Sequence, residues 1–262
     1  MIDLIKLRIE QGRQYLDNLA GASLSESFRG FPELDGERCT ECEICIRGCP
    51  TGAVSLAPLK IDLGACIFCG ACERACPEEA IHFTAEHRLS ATSRAALVVT
   101  AGMRSSDYIN SAIEPRPDIA ALFKRSLKLR SVSAGGCNAC ELELQAITNV
   151  NFDAARFGID IVASPRHADM VVVSGPVTEN MADALERTIQ ATPEPRGIIL
   201  YGACAVSGGV FRGSPALARS VLGRHRIDLF VPGSPPHPLT LLHGLLALLN
   251  HRPRGRATRR QG

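Results

Sequence analysis

Short apolar, β-branched runs punctuate the second half of the chain: "IDIVAS" (159–164), "MVVVSGP" (170–176), "GIILYG" (197–202) and "DLFVPG" (228–233). Each ends in turn residues, the signature of buried strands. Between them, "MADALERTIQA" and "SPALARSVLGRH" carry helical spacing, and the apolar run "LTLLHGLLALLN" (239–250) closes the segment. Strands alternating with helices predict an α/β domain of flavodoxin-like type, with a mostly parallel sheet covered on both faces. The closing run is too short to span a bilayer, which takes roughly 20 apolar residues, and reads as a buried helix. At the other end, "IDLIKLRIEQGRQYLDNL" predicts an amphipathic helix. It sets Ile2, Ile5, Ile9, Leu16 and Leu19 near one face, with Lys6, Arg8 and Arg13 elsewhere. That face suits docking on a membrane subunit or the bilayer interface; a helix facing the protein's own core is the alternative. Residues 85–133 are less patterned, and "SSDYINSAIEPRPD" is their most loop-like part.

Composition changes this picture at two points. The formal charge of +2 hides an asymmetry, because the last eleven residues, "RPRGRATRRQG", hold five arginines and no acid. Without those five, 24 basic residues face 27 acidic ones, a net of −3. The body is slightly acidic, the tail 252–262 reads as a solvated basic end, and no nucleic-acid partner is expected. The N-terminus lacks the apolar core and cleavage site of a signal peptide, so a cytosolic, thiol-reducing setting is expected. Eleven cysteines there point to metal ligands rather than disulfides.

Eight of the eleven fall in two copies of one pattern, "CTECEICIRGCPTGAVSL" from Cys39 and "CIFCGACERACPEEAIHF" from Cys66. At an offset of 27 residues all four cysteines match, as do Pro50 with Pro77, Arg47 with Arg74 and Ala53 with Ala80. Each copy reads C-x2-C-x2-C-x3-C-P, the bacterial ferredoxin run, in which the fourth cysteine ligates the other cluster. Cys39, Cys42, Cys45 and Cys76 are therefore expected to hold one 4Fe–4S cluster, and Cys66, Cys69, Cys72 and Cys49 a second. Zinc also binds paired CxxC motifs but leaves the doubled pattern unexplained. The implied order is a helix and linker (1–30), an α+β ferredoxin-like domain (31–88), a linker (89–120), the α/β domain (121–251) and the basic tail.

In an open parallel sheet, ligands collect beyond the carboxyl ends of the strands. "GACAVSGG" places Cys204 just past the third strand, "PGSPP" places Ser234 past the fourth, and "GGCNACELEL" supplies Cys137 and Cys140 upstream. Three cysteines and one serine are thus expected to converge on one edge. Glu141 and Glu143 follow directly; one reading is a proton relay, the other a solvated helix start favoured by the helix dipole.

The stretches "GGCNACELE", "SPRHADMVVVSGPVTENM", "YGACAVSGGVF" and "DLFVPGSPP" resemble, in the same order, the cluster-bearing small subunit shared by membrane-bound group 4 nickel–iron hydrogenases and complex I. The likeness is strongest to formate hydrogenlyase and runs from about residue 120 to about 250. "FRGFPE" and "CIFCGACERACP" are similar to the ferredoxin-like subunit of the same complexes, so the chain resembles a fusion of two subunits. The resemblance implies a third, proximal cluster on Cys137, Cys140 and Cys204, whose fourth ligand is a cysteine in a P-G-C-P-P loop. Here the loop reads "PGSPP" and Ser234 stands in that place. Three readings stand side by side: Ser234 ligates iron through its oxygen; it leaves a three-thiolate site holding three irons or a labile fourth; or it merely satisfies a turn. His237 is a further candidate ligand, since imidazole replaces thiolate in some iron–sulfur centres. The intact cysteines favour a retained cluster.

The resemblance further implies a peripheral subunit on the cytoplasmic face of the inner membrane, hetero-oligomeric with membrane-arm subunits and a large subunit carrying nickel and iron. Its role is electron transfer, with no bond chemistry of its own. Alternatives are the equivalent subunit of a complex I-like quinone oxidoreductase, or a scaffold whose third site is degenerate.

Overall fold

The computed structural model describes residues 2–12, 14–19, 21–123 and 126–250, so the basic tail lies outside the described residues. Helix α1 (Ile2–Gln11) is shorter than the sequence pattern predicts. It ends at Gly12, which adopts φ +61°, and Leu16 and Leu19 belong to an irregular segment packed on a second core, which includes Ile119, Leu144, Tyr201 and Leu242. The helical spacing of the apolar residues outlasts the helix because Leu16 and Leu19 anchor the following chain instead. Leu4, Ile5, Leu7 and Ile9 remain exposed.

The cysteine-rich half has a repeated plan. Strand β1 (Pro32–Leu34) and helix α2 (Ile44–Arg47) are followed by β2 (Val54–Ser55); β3 (Lys60–Asp62) and helix α3 (Ala71–Ala75) are followed by β4 (Ile81–Phe83). β1 pairs antiparallel with β4, and β2 with β3. The 27-residue sequence repeat is also a backbone repeat. Left-handed residues recur at Glu41 and Phe68, at Glu43 and Gly70, and at Gly52 and Glu79. Such turns are what let short loops wrap around a compact body.

The stretch read as a linker, 89–120, is instead packed structure. Strand β5 (Val98–Thr100) extends the β2–β3 pair, and α4 (Ser105–Ser111) and α5 (Pro117–Leu122) follow. Tyr108 is buried and donates its hydroxyl to Leu89 O at 2.6 Å. Ala91 bridges to Phe230 through two backbone bonds of 3.0 and 2.8 Å. Three-residue strands are too short to show a hydrophobic period, so the residue pattern carries no sign of them.

The second half contains β6 (Leu127–Ser133), α6 (Ala139–Ala146), β7 (Ile159–Ile161), β8 (Met170–Ser174), α7 (Glu179–Ala191), β9 (Gly197–Tyr201), α8 (Ala203–Ser207), β10 (Leu229–Val231) and α9 (Pro238–Leu248). Its five strands are all parallel, in the order β10-β9-β8-β6-β7. Counted within this half, that is the 2-1-3-4-5 order of the flavodoxin-like fold, with the switch point between β6 and β8. β8 and β9 are buried along their whole length, as central strands covered on both faces must be. α9 is the expected buried helix: Leu239, Leu241, Leu242, Leu245 and Leu248 are at most 2% exposed. "SPALARSVLGRH" forms a 3-10 turn at Arg219–Arg224 rather than an α-helix, because Leu217 is drawn into a bridge with Thr178. Among the described residues no helix is long and apolar enough to cross a membrane.

The halves are not independent bodies joined by a tether. One continuous cluster of buried residues runs from Phe31, Ile61 and Phe83 through Leu97 and Val99 to Val171, Val173 and Phe230.

Candidate metal centres

The two ferredoxin motifs exchange their fourth cysteines in space. Cys39, Cys42, Cys45 and Cys76 line one small cavity; Cys49, Cys66, Cys69 and Cys72 line another. α2 and α3 carry the third cysteine of each motif, and both Cys45 and Cys72 are buried. The crossing follows from β1 pairing with β4 and β2 with β3, which interleaves the repeats so that each "CP" corner faces the other loop.

The thiols are set up as acceptors. The Ala53 N–H donates to Cys49 Sγ at 3.2 Å and the Ala80 N–H to Cys76 Sγ at 3.3 Å, at equivalent positions of the repeat. The Phe68 N–H donates to Cys66 Sγ at 3.3 Å. Arg47 and Arg74, also equivalent, donate to the carbonyls of Cys42 and Cys69 and so pin the loops. Burial pushes the Cys66 thiol up to about 12 and Cys72 to about 11, with neighbouring cysteines adding to the shift. Cys49 is half-buried, which opposes its ionisation, yet hydrogen bonds from Thr51 and Ala53 hold its thiol below the ordinary value. Thiolates packed this closely repel one another; a cationic iron core removes that cost, and N–H···S bonds then tune its potential. The donor set fits an iron–sulfur cluster.

A third group of cysteines gathers beyond the sheet. Cys137 and Cys140 follow β6, and Cys204 lies in the first turn of α8, just after β9. Burial raises the Cys140 thiol to about 12, with Glu141, Cys204 and Cys137 adding to it. Cys204 is raised by burial and by Cys137, while Arg219 opposes the shift. The approach is close enough to require glycine. A Cβ on Gly202, at φ +94°, would lie 2.7 Å from Cys140 Sγ. Cys137 is exposed, so the site opens to the surface.

The "PGSPP" loop is latched beside it. The Ala203 N–H donates to Gly233 O at 2.8 Å, and the buried Tyr201 hydroxyl donates to Pro236 O at 3.1 Å. Gly233, at φ +144°, leaves no room for a side chain, since a Cβ would sit 2.3 Å from Pro236 Cα. Ser234 is exposed and lines a cavity of about 290 Å³ shared with Arg29, Phe68, Cys69 and His237. This seam joins the Ser234 loop to the second ferredoxin set.

His237 is not a freely exposed histidine. Its Nδ1 accepts from the Leu239 N–H at 3.1 Å, capping α9, and its ring meets Phe28 and Phe152 edge-on. Burial, with His87 nearby, lowers it to about 4. Glu141 is half-buried and tethered: it accepts from Ser174 Oγ at 2.7 Å, tying α6 to the end of β8. Burial opposes its ionisation, but the hydroxyls of Ser133 and Ser174 hold its pKa below the usual carboxylate range. Burial alone raises Glu143.

Comparison with known proteins places this architecture. Residues 137–248 match the family described as NADH ubiquinone oxidoreductase, 20 Kd subunit, and residues 59–82 match a 4Fe-4S binding domain. The probable membrane-bound hydrogenase subunit mbhJ of Pyrococcus furiosus is 41% identical over 134 residues, which cover 50% of this chain and 80% of that protein. The chain belongs to the 20 kDa subunit family. Formate hydrogenlyase subunit 7 of Escherichia coli is 41% identical over 48% of this chain. An NADH-quinone oxidoreductase subunit of Roseiflexus sp. is 43% identical over 43% of it. The chain spans 50% and 42% of those two relatives. Within this family the chain is an oxidoreductase subunit that binds iron–sulfur clusters, with a ferredoxin-type segment ahead of the matched domain.

Proposed function

We propose that this chain is the iron–sulfur electron-transfer subunit of a membrane-bound nickel–iron hydrogenase of formate hydrogenlyase type, wiring two ferredoxin-type clusters to a catalytic large subunit. Cys39, Cys42, Cys45 and Cys76 would hold the outer cluster, Cys66, Cys69, Cys72 and Cys49 the inner one, and Cys137, Cys140 and Cys204 a third, with Ser234 at its fourth position. When bound, such clusters supply one-electron storage and transfer at potentials set by burial and hydrogen bonding. The residues of this chain hold them, exclude water from their inner faces and fix their order. The observation that carries the reading is the cavity lined by both Cys69 and Ser234, which supports setting the second ferredoxin set beside the third site.

The protein would act as a peripheral subunit on the cytoplasmic face, next to membrane-arm subunits; the exposed Leu4, Ile5, Leu7 and Ile9 of α1 support such a contact. The 43% identity to a quinone oxidoreductase subunit supports a second reading, the equivalent subunit of a complex I-like enzyme. The partner large subunit separates the two, because nickel needs two CxxC pairs there.

Iron and acid-labile sulfide measured on the anaerobically purified chain test the cluster count. About twelve irons are expected for three cubane clusters, and about eleven with a three-iron signal keeps the third site. About eight would remove it and leave the second half a scaffold.

A further inference from the structure

Beside Cys204 stands a charge that the cysteine pattern does not account for. Arg219, at the start of the 3-10 turn after α8, is directed at the C-terminal end of that helix. Its Nη1 donates to Cys204 O at 3.0 Å and to Pro176 O at 3.2 Å; its Nη2 donates to Ala205 O at 2.8 Å and to Val206 O at 3.0 Å. Three of these acceptors are carbonyls of α8; those of Ala205 and Val206 lie in the last turn, where a helix end leaves carbonyls without intrahelical partners, and that of Cys204 also accepts from the Gly208 N–H at 2.9 Å. Among the described residues, all four of its bonds go to backbone and none to a carboxylate. Arg94, another arginine close by, differs: its Nη1 meets Asp62 Oδ1 at 2.7 Å, so its charge is neutralised. Arg219 is therefore a half-buried cation whose counter-charge is missing, set against the backbone of a cysteine in the third group. A guanidinium stays protonated at every accessible pH, so this charge is fixed.

We propose that Arg219 is a positioning residue of the third iron–sulfur site: its fork holds the Cys204 segment, and its unpaired charge favours the reduced, more negative form of the site. The proposal rests on Cys137, Cys140 and Cys204 holding a cluster. A thiolate-ligated cluster is anionic and gains a further negative charge on reduction. A fixed cation a few bonds away, shielded from water, then raises the midpoint potential.

The test uses the full chain, with iron and sulfide counted and each centre titrated by electron paramagnetic resonance. Wild-type protein with about eight irons would overturn the underlying reading before any variant is made. With the third centre present, Arg219→Gln is expected to weaken its preference for the reduced form about tenfold or more, a downward shift of about 59 mV or more for one electron. The ferredoxin-type centres should stay unmoved, and Arg219→Lys, which keeps the charge, should stay near wild type. If Arg219→Gln loses the third centre, retention by Arg219→Lys still supports a role for the charge. Loss from both variants, an unshifted potential in Arg219→Gln, or equal shifts in both would overturn the proposal.

Discussion

Replacing Cys76 with alanine is expected to disrupt the site of Cys39, Cys42 and Cys45, which lie about thirty residues upstream, by leaving it only three thiolates, while sparing the site formed by the replaced residue's own motif. The expectation follows from the crossed cavities: Cys76 lines the cavity of the first three cysteines, and Cys49 that of Cys66, Cys69 and Cys72. The antiparallel pairings hold that exchange in place. Iron should fall by about one per chain with a new three-iron signal, or by about four where the site is emptied, and the signal of the second set should persist. Cys49→Ala should do the converse. Loss of the site within the mutated motif, with the distant one intact, would mean that each motif closes on itself.

The second large effect is expected at Ser234. A hydroxyl is a poorer ligand for iron than a thiolate at neutral pH, so the iron nearest Ser234 should be the first lost to a chelator. The loop is latched by Gly233 and Pro236 and needs no rearrangement to present a longer or softer side chain. Ser234→Cys should slow loss of that iron by roughly tenfold or more, the equivalent of about 1.4 kcal/mol. The ferredoxin-type centres should be unaffected. Identical release from wild type and variant would mean that position 234 does not reach the third site.

Much of this was legible in the sequence because the residues responsible act locally. Ligand spacing is a property of a loop, so the doubled cysteine pattern pointed to both ferredoxin-type sites and their exchange. The runs of β8, β9 and β10 are apolar throughout because those strands are buried on both faces. β6 escaped notice because Lys128 and Arg130 alternate with Leu127 and Leu129, half-hiding a central strand inside an unpatterned stretch. The first helix was overextended because Leu16 and Leu19 keep the helical spacing for a different reason, burial in the second core. What depends on docking was not legible. Ser234 and Cys69 are 165 positions apart, and only the shared core brings them to one cavity. Arg219 gave no signal because its partners are carbonyls, which every residue carries.

The adjacency of the second ferredoxin set and the third site is most directly tested by magnetic coupling. In a variant with Cys39, Cys42 and Cys45 all replaced by alanine and reduced anaerobically, the first site has one cysteine left, cannot hold a cluster, and two centres should remain. Their electron paramagnetic resonance signals are expected to be broadened or split by each other, and to sharpen when only one is paramagnetic. Two signals that simply add, unchanged whether or not the neighbour is reduced, would place the centres apart and contradict the wiring proposed for this chain.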